Sequence, residues 1–433
     1  MSEGEQAGPK RHIIAVTDSD SYLKWGVSVL DQLPSAWSTE IILLRNRALP
    51  SETQVNAALA HSSLAGIELS PLRVESAIRR IQERTPDVLL VATRGAMADV
   101  LTTHLDLEDP KRPVIVTGLP GVSIPATARA LEYRSCADVF VLHSKREVDD
   151  FQALASKLDL GMQFGLASLP FMTNPAEQSG VERNRVIFAA QAIVPAELDE
   201  RRRLVRILSE AARKNPGTDI VVKLRARRGE KQTHAEKESF EDLIDEAKTK
   251  DPEGFPSNLV VEDGPMSEHL KTAIGLVSIS STAIIESIAA SVPVLALADF
   301  GVEESLLNTV FVDSHLLGDS AALGKLSFHQ PNANWLDRNY FHATADNNWL
   351  SLLESLAETR ATMGLPKREV LMDRPEFTRA RRSAFARTFG ANHKHARKPS
   401  VRRSVRRLAV SIKRRARGAL LNRAPELAIF FAR

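Results

Sequence analysis

The sequence predicts an α/β protein of two domains, each built on a parallel sheet. Three observations predict it. Short apolar, β-prone runs alternate with stretches of helical spacing along most of the chain. The chain has 433 residues, more than one typical hydrophobic core organises. Residues 275–314 read GLVSISSTAIIESIAASVPVLALADFGVEESLLNTVFVDS, which spells strand, hydroxyl turn, helix and strand, a βαβ unit.

Taken in order, residues 1–10 are expected to be disordered, and residues 12–16 form the first strand. The strand runs into Thr17-Asp18-Ser19-Asp20-Ser21, and residues 22–33 follow with helical spacing. A first βα loop is where open sheets hold ligands. Asp18 and Asp20 are therefore candidate bases for an acceptor hydroxyl, although an Asp-Ser-Asp run is equally a good turn and cap. Ser19 and Lys24 are candidates for the same side of a site, and Trp25 for a sugar face. Strands are expected at residues 41–45, 88–92, 113–118 and 136–143, with a helix at 72–84. Gly118, Gly121 and Ser123 fall in a loop that either lines the acceptor side or simply makes a tight turn. Ser144 with Glu147 reads as a capping box and nothing more.

Polar residues 174–185, with a proline and a glycine, form the expected linker between domains 11–173 and 186–375. The second domain opens with a strand at residues 185–190 ending at Gln191, then a helix at 198–213 and a strand at 220–224. The last delivers Lys223 and, just beyond, Arg225, Arg227 and Arg228; His234 reads as part of a solvated polar loop. Glu262-Asp263-Gly264-Pro265 reads as a turn, and the aromatic, Asn-rich stretch 335–347 as a closing segment.

The hydroxyls of Ser280, Ser281 and Thr282 sit where a helix presents unpaired N–H groups beyond the carboxyl edge of a sheet, a place that favours an anion. Glu286, one turn on, is placed to reach a ribose or acceptor hydroxyl. Ser281 as an ordinary N-cap is the alternative. The run SISSTAIIESIAASVPVLAL, followed by ADFG and LLNTVFVDS, resembles the Ser-Ser/Thr motif region of bacterial GT-B glycosyltransferases. The resemblance is to the sialyltransferase, polysialyltransferase and capsule-polymer families, and above all to an actinobacterial group of glycosyltransferases. It implies two Rossmann-like domains facing a cleft, with a nucleotide sugar held mainly by the second and its phosphate bound by Ser280, Ser281 and Thr282. By topology Asn308 joins the donor contacts, whereas Glu303 and Glu304 are assigned to capping or packing. One departure stands out: those families carry His-Pro after the strand that ends at Leu224, where this chain has Arg225-Ala226. Arginine can hold a diphosphate through its planar fork, so Arg225 is kept as a donor contact.

Composition bounds the reading. At 43% hydrophobic and 26% charged the chain is an ordinary globular one. A single cysteine, Cys136, excludes an internal disulfide and a cysteine-based zinc site. The start, MSEGEQAGPKRH, has no signal-type apolar core, so a cytosolic location is expected. Residues 376–433 hold 17 Lys and Arg against two Glu, a net +15; against the whole chain's +3, residues 1–375 carry −12. Val401, Val405, Leu408, Ile412, Ala416 and Leu420 recur every three or four residues within that basic tail. A cationic amphipathic helix on an anionic membrane surface is expected, ahead of a plain solubilising tail or nucleic-acid binding.

The expected function is transfer of a sugar from a nucleotide sugar to a hydroxyl of a surface glycan or lipid-linked acceptor, with no metal and no bound cofactor. A nucleotide-sugar epimerase of the same fold and a non-catalytic glycan-binding protein are the alternatives.

Overall fold

All paired named strands in the computed structural model are parallel, and they fall into two sheets of six. The structure describes residues 11–60, 62–169, 182–224 and 239–371. Most of the linker stretch, Arg225, His234 and the basic tail lie outside those residues.

The first half runs β1 (His12–Thr17), α1 (Asp20–Asp31), β2 (Ser38–Leu43), α2 (Glu52–Leu59), α3 (Val74–Arg84), β3 (Val88–Ala92), α4 (Gly95–Thr102), β4 (Val114–Gly118), α5 (Ala128–Glu132), β5 (Val139–Leu142), α6 (Lys145–Lys157) and β6 (Gln163–Leu166). Strands β3, β4 and β5, VLLVA, VIVTG and VFVL, are buried throughout. Uniformly apolar sequence suits strands covered by helices on both faces. The spatial order β2-β1-β3-β4-β5-β6 puts the reversal of chain direction across the sheet between β1 and β3.

The second half runs β7 (Arg185–Ala189), α7 (Leu198–Lys214), β8 (Asp219–Lys223), α8 (Phe240–Lys250), β9 (Leu259–Glu262), α9 (Met266–Lys271), β10 (Ala273–Ser278), α10 (Ala283–Ala289), β11 (Val294–Leu297), β12 (Leu317–Gly318), α11 (Ser320–Gly324) and α12 (Ala333–Arg338). Its order β12-β11-β10-β7-β8-β9 puts the equivalent reversal between β7 and β10. Helix α7 covers this sheet through Leu204, Val205, Leu208 and Ala212, while Ile284, Ile285 and Ile288 of α10 pack on its other face.

The last described helix, α13 (Trp349–Thr362), returns to the first half. Trp349, Leu353 and Ala357 join the core of Ile13, Leu90, Val116 and Val139. Gly165 makes room for it: a Cβ there would stand 2.7 Å from that of Trp349. Trp349 Nε1 donates to Gln32 Oε1 at 2.9 Å, and Arg360 pairs with Asp87 at 2.6 Å. Beyond the helix, Arg368 and the buried Arg112 both bind Asp138, the latter through a two-pronged contact at 2.7 and 2.8 Å.

The βαβ unit, the closing role of Trp335 and the turn at Gly264 match the sequence reading: Trp335 is buried with its indole on Val310 O, and Gly264 has φ +102°. Helices α2, α4, α5, α8, α11 and α12 lie outside that reading. Helix α4, GAMADVLT, is buried through most of its length and so lacks the polar face that marks an amphipathic helix. Among the described residues no helix is long and apolar enough to cross a membrane.

Candidate functional site between the two sheets

Both sheets lie within one compact unit, and their carboxyl ends meet. Gly121, beyond β4, has φ +97°, and a Cβ on it would stand 3.2 Å from Cγ2 of Thr282, beyond β10. Around this contact the halves are joined by Lys145 with Asp337 and Asp346, Arg338 with Asp149, and Tyr340, whose hydroxyl donates to Glu147 at 2.7 Å.

The hydroxyl turn fills the crevice at the second sheet's reversal point, where open α/β sheets bind ligands. Gln191, just beyond β7, clamps it. Its Oε1 accepts from Ser280 N at 3.0 Å and Ser278 Oγ at 3.2 Å, and its Nε2 donates to Ser280 Oγ at 3.0 Å. Ser281 Oγ accepts from Ala283 N at 3.2 Å, a turn contact just ahead of α10, whose N-cap is Thr282. Thr282 makes no side-chain hydrogen bond among the described residues. All three are half-buried. Helix α10 has only seven residues, so the crevice and hydroxyls outweigh its dipole as an attraction for an anion. Glu286 lies near Lys223 of its own half and Lys24 of the other; burial raises its carboxyl above the usual range, and the two ammonium groups oppose that.

The first sheet's reversal point holds a different pair. Asp18 is fully buried, and Arg94 binds it twice, through Nε to Oδ2 at 2.9 Å and through its backbone N–H to Oδ1 at 3.1 Å. Burial pushes the Asp18 carboxyl up, with Arg94 and Arg134 pulling the other way. Arg94 Nη2 also donates to Asn46 Oδ1 at 3.0 Å, and Asn46 Nδ2 donates back to Asp18 O at 2.8 Å. Asp18 is therefore committed to holding Arg94 and closing the start of α4, and it is not exposed as a base.

Ser19, Trp25 and Asn308 are likewise engaged elsewhere. Ser19 is 1% exposed and gives α1 its first carbonyl acceptor, for Leu23 N. Trp25 is buried, with its indole donating to His143 Nε2 at 2.9 Å, and Gly118 lies under its ring, so it is no sugar platform. Asn308 is buried and ties its own loop together, accepting from Glu303 N and donating to Gly301 O. Asp20 is half-buried, with Oδ2 on Lys24 Nζ at 2.9 Å. Ser123 shapes its loop by donating from Oγ to Gly121 O and from N to Glu147.

Two groups escape the sequence reading. Glu147 does more than sit in a capping box. Ser144 Oγ accepts its N–H, but its carboxylate accepts from Ser123 N at 2.6 Å, His143 N at 2.9 Å and Tyr340 Oη, and burial pushes it up to about 7. Arg94 is the other. Its place at the end of β3 is legible, but nothing local marks its partners.

Two parallel six-stranded sheets with facing carboxyl edges and a helix returned to the first half define a GT-B-type protein. The chain belongs to the family described as Putative glycosyltransferase (DUF6716), whose sequence profile matches residues 13–356. No curated protein matches it. Among solved structures it is similar to a UDP-N-acetylglucosamine 2-epimerase at 12% identity and TM-score 0.53, over 84% of this chain and 100% of that one. It is also similar to the Listeria monocytogenes protein titled putative UDP-N-acetylglucosamine 2-epimerase, at 12% identity and TM-score 0.50, over 87% and 96%. A third is the Methanocaldococcus jannaschii UDP-GlcNAc 2-epimerase in complex with UDP-GlcNAc and UDP, at 9% identity and TM-score 0.50, over 79% and 99%. At such identities the likeness is one of fold.

Proposed function

We propose that this protein is a glycosyltransferase of the surface-glycan kind, akin to the sialyltransferase and capsule-polymer enzymes. It moves a sugar from a nucleotide sugar to a hydroxyl of a glycan or lipid-linked acceptor, without a metal. One observation carries the reading: the half-exposed turn Ser280–Thr282, fixed by Gln191 at a sheet's reversal point, opens opposite Gly121 of the other half. Fixed donors aimed at a leaving phosphate need no reorganisation during transfer. The open hydroxyl of Thr282 and the cradle of Ser280 bind the donor phosphate, Lys223 adds positive charge, and Glu286 takes the ribose. With Asp18 occupied, Asp20 carries the proposed base role, Lys24 orienting it. The bound UDP-GlcNAc of the archaeal relative supports a nucleotide sugar as donor. The cationic sequence of residues 376–433 supports work at an anionic membrane surface.

The test is a thermal-shift screen with CMP, UDP and GDP. A nucleotide at 100 times its Kd adds about 2.7 kcal/mol to stability, and Thr282→Ala should remove most of the shift. No shift with any nucleotide would sink the proposal. Sugar turnover that proceeds with no acceptor present would favour the epimerase reading instead.

A further inference from the structure

Arg94 stands at the reversal point of the first sheet, bound to Asp18 and Asn46. In the order β2-β1-β3-β4, strand β3 lies between β1 and β4. Both flanking exits approach the second half: Lys24 beyond β1 lies near Glu286, and Gly121 beyond β4 meets Thr282. Arg94, at the exit of β3, stands between those two exits in strand order, with its side chain 33% exposed. Its guanidinium is immobilised on one edge by Asp18 and at one tip by Asn46, while Nη1 donates to nothing among the described residues.

A second guanidinium acts on Asp18. Among the described residues Arg134, 4% exposed, donates to neutral oxygens, namely Ala130 O, Thr93 O and Tyr22 Oη. The field of Asp18, which Arg94 already engages, reaches Arg134. Its Nε and the Thr93 hydroxyl, both buried, have no hydrogen-bond partner among the described residues. Asp20 is matched by Lys24. Asp18 therefore feels two guanidinium groups at a crevice of the type that receives ligands. A pre-oriented arginine with an open edge is the group of choice for a phosphate or carboxylate.

We infer that Arg94 is an oxyanion-binding residue of the acceptor side, and that the acceptor carries a phosphate or carboxylate beside the hydroxyl it offers. This specifies the acceptor within the transferase reading above, on which it rests.

The experiment titrates the full chain, with no nucleotide present, against methyl glucoside, methyl glucoside 6-phosphate and methyl glucuronide, followed by ligand-observed NMR. At least one anionic probe should bind tenfold or more tightly than the neutral one, and which anion wins identifies the group. Arg94→Lys, which can still neutralise Asp18 but lacks the fork, should reduce that preference at least tenfold. Should Arg94→Lys fold poorly, the double variant Asp18→Asn, Arg94→Gln removes the charge pair together and should abolish the preference. Lys111→Ala, exposed at the opposite, amino edge of the sheet, should leave it intact. Equal binding of the neutral probe, or an anion preference that survives both Arg94 variants, would overturn the assignment. Because no nucleotide is used, failure of the donor screen and failure here are separate results.

Discussion

Gly121 faces Thr282 across the cleft so closely that a single added carbon would lie 3.2 Å from the threonine methyl, at a backbone φ of +97°. The left-handed conformation strains any side chain, and the contact adds a push against the donor turn. Gly121→Ala should cost about 1 kcal/mol or more in a urea titration. It should also weaken nucleotide binding. A variant as stable as the parent would contradict the geometry.

Gln191 accepts from Ser280 N and Ser278 Oγ while donating to Ser280 Oγ. Gln191→Glu keeps both acceptors but sets a negative charge under the proposed phosphate. Two like charges at 4 Å repel by about 4 kcal/mol in a surface-like dielectric. Nucleotide affinity should fall at least tenfold, with stability changed by under about 1 kcal/mol. Calorimetric titration of the best nucleotide from the screen measures it.

His143 and Glu147 should give opposing pH effects. Burial pushes the Glu147 carboxyl from 4.5 up to about 7, so the folded state holds a proton that the unfolded state has released. Its contribution is full below pH 4.5 and is lost as pH rises towards 7. Burial lowers His143 from 6.5 to about 4, with Nδ1 donating to Ala167 O and Nε2 accepting from Trp25. Its contribution is full above pH 6.5 and is lost as pH falls towards 4. The two offset each other between about pH 4.5 and 6.5. Glu147→Gln should expose the histidine alone, giving stability that rises across that window with a slope of at most about 1.4 kcal/mol per pH unit. Urea midpoints at half-unit pH steps would show it, and a slope like the parent's would refute it.

Trp349 anchors α13 on the first sheet over Gly165, with its indole on Gln32. Trp349→Ala should cost about 3–5 kcal/mol. The loss should appear in the first half: amides of β4 and β6 should exchange faster, while those of β10 keep their protection.

The legible part of this molecule is the part whose signals are local. The strand-turn-helix-strand run at residues 275–298 is written in consecutive residues, and so is the cap at Ser144. What stays hidden depends on distant partners. Asp18 reads as a loop carboxylate until Arg94 arrives from β3, and Glu147 reads as a cap until Tyr340 reaches it from the other half. Asn308 lies near the cleft in chain order, yet its amide is used up by Gly301 and Glu303. Local spacing predicts which elements form. It does not predict which polar side chains their assembly will consume.

Because α13 belongs to the first core while β7–β12 form the second, the polypeptide passes between the halves twice, once ahead of Arg185 and once ahead of Trp349. The first core is therefore complete only once the chain has been made as far as Trp349, after all six strands of the second sheet.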